Sequence, residues 1–461
     1  MKNIEFRSAV SAQGGLIVMA GVPGVAAGSR VQVRDHAGRL RSGLVIRAAD
    51  QTVVVEVFEG TDALDLERTW VRFLDEPFRL PVSRDLLGRV FNGTGGPRDN
   101  RPPIVSADRR NVNGEPLNPA ARAYPREFIQ TGISAIDGLN SLTRGQKLPI
   151  FSGGGLPHNR VAAQIVRQAK LLGEGASEFV VVFAALGASH SDARFFQESF
   201  EESGVLNKVA MFLNLADEPV IERLLTPRAA LTAAEYLAFD LDHHVLVVMT
   251  DMTAYAEALR EVAVLRGDVP ARKGYPGYLY SDLAELYERA GRIKNRRGSI
   301  TLIPVLSMPS DDITHPIPDL TGYITEGQIV LGRELANQGI YPPVTVLPSL
   351  SRLMKDGVGK NFTREDHPHV ASQLFASYAR ALDVRGLAAI IGAEELSDAD
   401  RRYLQFAEAF ERRFIGQAED EDRSVFETLN LAWDLLSMLP PDALIRVSEA
   451  DLAKYHKGPA A

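Results

Sequence analysis

Hydrophobic and polar positions alternate in three different ways along this chain. Through about residue 75, short apolar or alternating runs at 16–19, 31–34, 44–47 and 52–58 are separated by turn residues such as Gly14-Gly15, Gly28-Ser29 and Ala49-Asp50. Short strands at that spacing predict a small β-barrel or sandwich. From about residue 80 to 350 the period changes. Apolar strand runs at 147–151, 178–185, 209–213, 244–250 and 299–306 alternate with helical stretches at 161–166, 191–203 and 219–239. Continuous apolar strands between helices predict a parallel sheet covered on both faces. From about residue 355 strand patterns stop. Leu404, Ala407, Phe410 and Phe414 share one helical stripe, Leu429, Trp433 and Leu436 another, and Pro440-Pro441 ends the second helix. The predicted domains are a β-barrel over 1–75, an α/β domain over 76–354 and a helical bundle over 355–461.

Composition narrows the function classes. With 461 residues, 45% of them hydrophobic, the chain can bury several cores. A formal net charge of −8 argues against a nucleic-acid surface, which needs a basic face. No cysteine is present, so disulfides and thiolate metal sites are excluded. The start of the chain has no secretory pattern, and no apolar run reaches the ~18 residues of a membrane span. The expectation is a cytoplasmic protein, peripheral to a membrane if it joins a membrane complex.

The candidate chemistry begins at residues 151–159, Phe-Ser-Gly-Gly-Gly-Leu-Pro-His-Asn, between a strand run and a helix. A phosphate-binding loop of the form G-x-x-x-x-G-K-[ST] occupies that setting in nucleotide-binding proteins. Gly153, Gly154 and Gly155 keep backbone N–H groups available to an anion. Pro157 replaces the second glycine and lacks an N–H. His158 replaces the lysine, and an imidazole carries no permanent charge at neutral pH. Asn159 replaces the hydroxyl residue that holds Mg²⁺. Asp251 closes the 244–250 strand run, the placement of an aspartate that orients Mg²⁺. A glycine turn before a helix and an acid after a strand also occur for purely structural reasons. Two pairs of histidines carry less weight: His243-His244 is expected in a surface turn, and His367-Pro368-His369 lacks a third ligand. The run Glu419-Asp420-Glu421-Asp422 is expected as a solvated loop, and no metal site is expected anywhere.

Longer motifs connect these features. They include Phe58-Glu59-Gly60-Thr61, Thr250-Asp251-Met252-Thr253, Gly274-Tyr275-Pro276-Gly277-Tyr278, Ser307-Met308-Pro309-Ser310-Asp311-Asp312-Ile313-Thr314-His315-Pro316, and Pro348-Ser349-Leu350-Ser351-Arg352-Leu353-Met354. Spread nearly from end to end, this set resembles the B subunit (beta chain) of V/A-type rotary ATPases and ATP synthases. The resemblance implies a β-barrel, a central RecA-like P-loop domain and a C-terminal helical bundle. It also implies a non-catalytic, regulatory chain that alternates with catalytic A subunits in a hexameric head and contacts central-shaft and peripheral-stalk subunits. That head couples ATP synthesis or hydrolysis to proton or sodium movement through a membrane sector.

At 186–189, Leu-Gly-Ala-Ser stands where catalytic subunits of that class carry Gly-Glu-Arg, so the water-activating glutamate is missing. Arg352 matches an arginine that reaches across the interface toward ATP and Mg²⁺ held by the neighbour. It follows the apolar run 344–347 and is expected at the carboxyl end of a strand, where doubly wound sheets place ligand contacts. For this chain's own loop the expectation is a weak nucleotide site at Gly153, Gly154, Gly155, His158, Asn159 and Asp251, with no tightly bound cofactor. Two other readings, a self-sufficient export-motor ATPase and an RNA translocase, are opposed by the altered loop and the acidic charge.

Overall fold

Seven antiparallel strands form the first sheet of this computed structural model, which describes residues 5–13, 15–74, 76–172 and 179–458. Among the runs expected to be strands, the structure has Leu16–Ala20, Arg30–Arg34, Leu40–Ala49 and Thr52–Val57. Valines on alternate positions (Val31, Val33, Val53, Val55, Val57, Val71) point into one shared core with Ile17, Met19 and Phe73. Period-two alternation with one buried face is the cause of that arrangement.

The central sheet orders its main strands as Val344–Ser351, Gly327–Leu331, Ile150–Gly153, Ser299–Met308, His244–Thr250, Phe179–Ala188, Val209–Leu215 and Arg89–Asn92. All neighbours on this path are parallel except the first pair. The runs at 209–213, 244–250 and 299–306 fall within strands of this sheet. Glu178, expected to open the 178–185 strand, lies outside the described residues. Helices His158–Gln168, Val220–Phe239 and Met252–Arg266 pack on the sheet. Each fully buried aliphatic side chain, such as Val161, Ile165, Val182 or Leu246, contributes about 1.5–3 kcal/mol.

The expectation for His243-His244 is corrected. His244 begins a strand that is paired on both sides, to Phe179 and to Ser299, and it is buried. Where helices cover both faces of a sheet, even a polar first residue of a strand is enclosed.

Helices His367–Ile391, Asp398–Ala409 and Val425–Leu436 form the last region. The predicted stripe shifts in its first half: Phe406, Ala407, Phe410 and Phe414 are buried while Leu404 is only partly so. Within the regular helix Asp398–Ala409, Phe406 lies one turn before Phe410 on the buried face, and a π-helical turn follows at Phe410–Ile415. The acidic run is a loop with Asp420 and Asp422 exposed, and three of its carboxylates are paired. Glu419 pairs with Arg160, Glu421 with Arg423 at 2.5 Å and Asp422 with Lys170 at 2.6 Å. The cations of the loop helix and the strand after it draw the run down. Among the described residues no helix is long and apolar enough to cross a membrane, and no group of three or more His, Asp or Glu is placed to hold a metal ion.

Candidate functional site: two half-sites on opposite edges of one sheet

The glycine loop follows the Ile150–Gly153 strand and opens the helix His158–Gln168, with Pro157 as a cap residue that offers no side-chain hydrogen bond. Gly155 holds φ +77°, a left-handed conformation that favours glycine. Gly153 is needed for a different reason. A Cβ there would lie 2.2 Å from Asp311 Oδ1. Asp311 is held by Arg333, whose Nε and Nη2 donate to its two carboxylate oxygens at 2.8 and 3.0 Å, while Nη2 also donates to the Gly154 carbonyl at 2.9 Å. The Arg333 hydrogen bonds hold the Asp311 carboxyl below its ordinary range, and the Gly154 N–H lowers it further. Sequence reasoning missed both residues, because an anion–cation pair separated by 22 positions leaves no local pattern.

The other loop-side candidates are brought together, but each is already engaged. Asn159 Nδ2 donates to Asp192 at 3.2 Å, and its Oδ1 accepts from the Thr250 hydroxyl at 3.1 Å. Asp251 caps the next helix: its Oδ1 accepts the Thr253 N–H at 2.8 Å and the Ser307 N–H at 3.0 Å, and its Oδ2 accepts the Ser307 hydroxyl at 2.5 Å. His158 Nδ1 lies 3.0 Å from the Leu156 carbonyl. Ala188 ends its strand with a methyl group, which cannot accept a proton. As they stand, these residues do not fit a magnesium–phosphate group. No hydroxyl stands at position 159, the Asn159 amide and the Asp251 carboxylate are bonded to protein, and the Asp311 carboxylate lies against the loop's own amide.

Arg352 follows the strand Val344–Ser351, as expected, but the reason given for its position is corrected. That strand runs antiparallel to Gly327–Leu331, with Ser351 opposite Gly327 and Val344 opposite Leu331. Gly327–Leu331 in turn runs parallel to the loop strand, with Ile329 opposite Ile150. The carboxyl end of the antiparallel strand therefore lies at the amino-terminal edge of the parallel sheet. The glycine loop lies at the carboxyl-terminal edge. Six residue steps, from the level of Leu148 to Gly154, separate the two levels by roughly 20 Å at ~3.3 Å per residue.

The backbone before Arg352 is fixed tightly. Ser351 Oγ donates to the Ser141 carbonyl at 2.8 Å and accepts from Gln146 Nε2 at 2.9 Å, and the Arg352 N–H donates to the Glu326 carbonyl at 3.0 Å. The exposed guanidinium itself makes one hydrogen bond, from Nη1 to the Thr325 carbonyl at 3.2 Å, and no ion pair among the described residues. Lys147 takes the adjacent Glu326 carboxylate at 2.8 Å, leaving the arginine without an anion.

His367 and His369 do not meet at a common ligand. His367 is buried, with its Nε2 against the Gly138 carbonyl and its Nδ1 against Thr363 Oγ1, both at 3.0 Å. Burial lowers its pKa to about 4. His369 faces Asp451 instead.

A barrel-like sheet, a parallel nucleotide-binding sheet with a glycine loop and a helical bundle define the class of rotary-ATPase head subunits. Residues 132–351 match the ATP synthase alpha/beta family, nucleotide-binding domain, and residues 356–456 match the C-terminal domain of V and A type ATP synthase. The chain belongs to the V/A-type ATP synthase B-subunit (beta-chain) family. It is 73% identical over 457 residues to a V-type ATP synthase beta chain of Nitrosococcus oceani, covering 99% of this chain and 95% of that one. It is 59% identical to the B subunit of an A-type ATP synthase of Aeropyrum pernix, covering 98% and 97% of the two chains. A solved ATP synthase subunit, NeqB from Nanoarcheaum equitans, superposes with a TM-score of 0.74 at 40% identity, over 93% of this chain and 100% of that one.

Proposed function

We propose that this chain is the non-catalytic, regulatory member of a hexameric head. It alternates there with catalytic A subunits, and Arg352 completes the neighbour's ATP site. The head sits at the cytoplasmic face of a membrane, joined through shaft and stalk subunits to a membrane sector that carries protons or sodium. MgATP is held by the catalytic neighbour. This chain's own loop binds nucleotide weakly or not at all.

The observation that carries this reading is the opposition of the two half-sites. A loop and an arginine roughly 20 Å apart on opposite sheet edges cannot serve the same nucleotide. An unpaired guanidinium on a fixed backbone suits charge that develops on a transferring phosphoryl group. On the loop side, Asp251 and Asn159 are consumed by protein partners, and Asp311 stands where an incoming phosphate oxygen would need the amide.

The test is Arg352→Ala and Arg352→Lys in the assembled complex. Turnover should fall for both, since an ammonium cannot reproduce the forked geometry. Near-normal turnover with tight ATP binding sinks the proposal. Robust phosphate release by the purified chain alone would sink the assignment of a non-catalytic role, and submicromolar nucleotide affinity in calorimetry would overturn weak binding at this chain's own loop.

A further inference from the structure

Arg352 lies on the wall of a cleft of about 400 Å³ between the nucleotide-binding sheet and the helical region. The ionisable side chains lining that cleft are Arg352, Lys355 and Arg446, and none of its lining residues is acidic. Three cations and no anion in one cleft is a marked local departure in a chain of net charge −8.

None of the three has a carboxylate partner among the described residues. Arg352 reaches only the Thr325 carbonyl, Arg446 Nη1 donates to Ser372 Oγ at 3.2 Å, and Lys355 has no hydrogen bond or ion pair among the described residues. Nearby acids are taken: Glu326 by Lys147, and Asp356 by the Tyr124 hydroxyl at 3.0 Å. Elsewhere in the same region, enclosed cations are paired, as in Arg89–Asp99, Arg228–Asp282 and Arg289–Glu235. Like charges gathered in a cleft repel one another and focus a positive potential outward until an anion arrives. Beside them, Leu350 and Phe375 are 51% and 39% exposed and offer an apolar wall.

We propose that Lys355 and Arg446 join Arg352 as one cationic receptor for the polyphosphate of the nucleotide held by the neighbouring subunit. The inference rests on the role given above to Arg352, and divides the labour. Arg352 meets charge that grows in the transition state. Lys355, a compact point charge, and Arg446 hold phosphate equally in ground and transition states. Interactions of the first kind appear in kcat, and those of the second in KM.

The experiment uses the assembled complex with Lys355→Met, Arg446→Met and the double variant, beside Lys360→Met as an exposed lysine outside the cleft. Hexamer content is measured for each preparation. Each cleft variant should raise the KM for MgATP about tenfold at low salt with kcat within about twofold, and the double variant should flatten the salt dependence of KM. Lys360→Met should match the parent. Unchanged KM in the double variant overturns the inference, as does loss of hexamer with normal KM in the hexamers that form. The latter outcome would assign these cations to carboxylates of the neighbouring protein. If Arg352→Ala abolishes turnover while the double variant is normal, only this inference fails. If Arg352→Ala is itself normal, the functional reading fails first.

Discussion

The two edges of the central sheet present opposite solutions to the handling of charge. At the carboxyl-terminal edge, the groups suited to ligand binding are engaged internally: Asp311 is paired with Arg333 against the glycine loop, Asp251 is hydrogen-bonded to Ser307, and Asn159 to Thr250 and Asp192. At the amino-terminal edge, Arg352 is rigidly presented and left without an anion. Both edges are well ordered by hydrogen bonds, so order alone does not distinguish them. What separates them is whether the charge already has its partner.

The largest expected effect breaks the comparison if it fails. Arg352→Ala should lower turnover of the complex about 10³-fold or more, on the order of 4 kcal/mol of barrier. His158→Ala at the other edge should change it less than about threefold. Steady-state ATPase of matched hexamers measures both.

Next come glycine substitutions at the two edges. Gly327 lies opposite Ser351 at φ +143°, and a Cβ there would sit 2.1 Å from the Leu350 carbonyl oxygen. Gly327→Ala should therefore cost about 3 kcal/mol of stability, because the obstacle is backbone. Gly154 has open space around it, with nothing within 4 Å of where a Cβ would stand, and Gly154→Ala should shift stability by less than about 0.5 kcal/mol. Denaturant unfolding of the isolated chain distinguishes the two.

Acidification sharpens the comparison, because His367 ties the first turn of the helix His367–Ile391 to Gly138, beside the Arg352 cleft. Its neutral ring donates from Nε2 to that carbonyl and accepts the Thr363 hydroxyl at Nδ1, while Thr363 Oγ1 also accepts the Gly359 N–H. The folded pKa of about 4 lies below the ordinary 6.5, so the unfolded chain binds more protons between those values. Stability from this group is full above pH 6.5 and is lost as pH falls toward 4, by up to roughly 3 kcal/mol. His367→Gln should flatten that part of the pH–stability profile.

The smallest expected effect is His158→Lys. Restoring one cation leaves Pro157 without its N–H and Asp251 and Asn159 engaged, so phosphate release by the purified chain should remain at background. A malachite-green assay would reveal any gain.

Much of the architecture was legible in the residues themselves. The central strands and the change from period two to helical period mark where backbone must pair and which faces must be buried. Loss of the loop lysine and of the hydroxyl at 159 follows from residue identity in the motif, and loss of a base at 188 from the family resemblance. Other elements were not legible. The edge strand Arg89–Asn92 has no apolar run to announce it, since its place on the sheet is set by pairing with Val209–Leu215. The choice of Phe406 over Leu404 for the buried face, and the π-helical turn that follows at Phe410–Ile415, depend on local packing.

Sequence by itself determined which chemical groups this chain has and lacks, because removing a side chain removes its chemistry in any fold. Only the tertiary structure decided where those groups face and which are already satisfied. The apolar run 344–347 marks a strand but reads the same in either direction, and the antiparallel pairing that sends Arg352 to the far edge comes from neighbouring strands. Likewise Asp311 and Arg333 are ordinary charged residues until folding brings them together over the glycine loop, because electrostatic partners are chosen by distance in space and not by spacing along the chain.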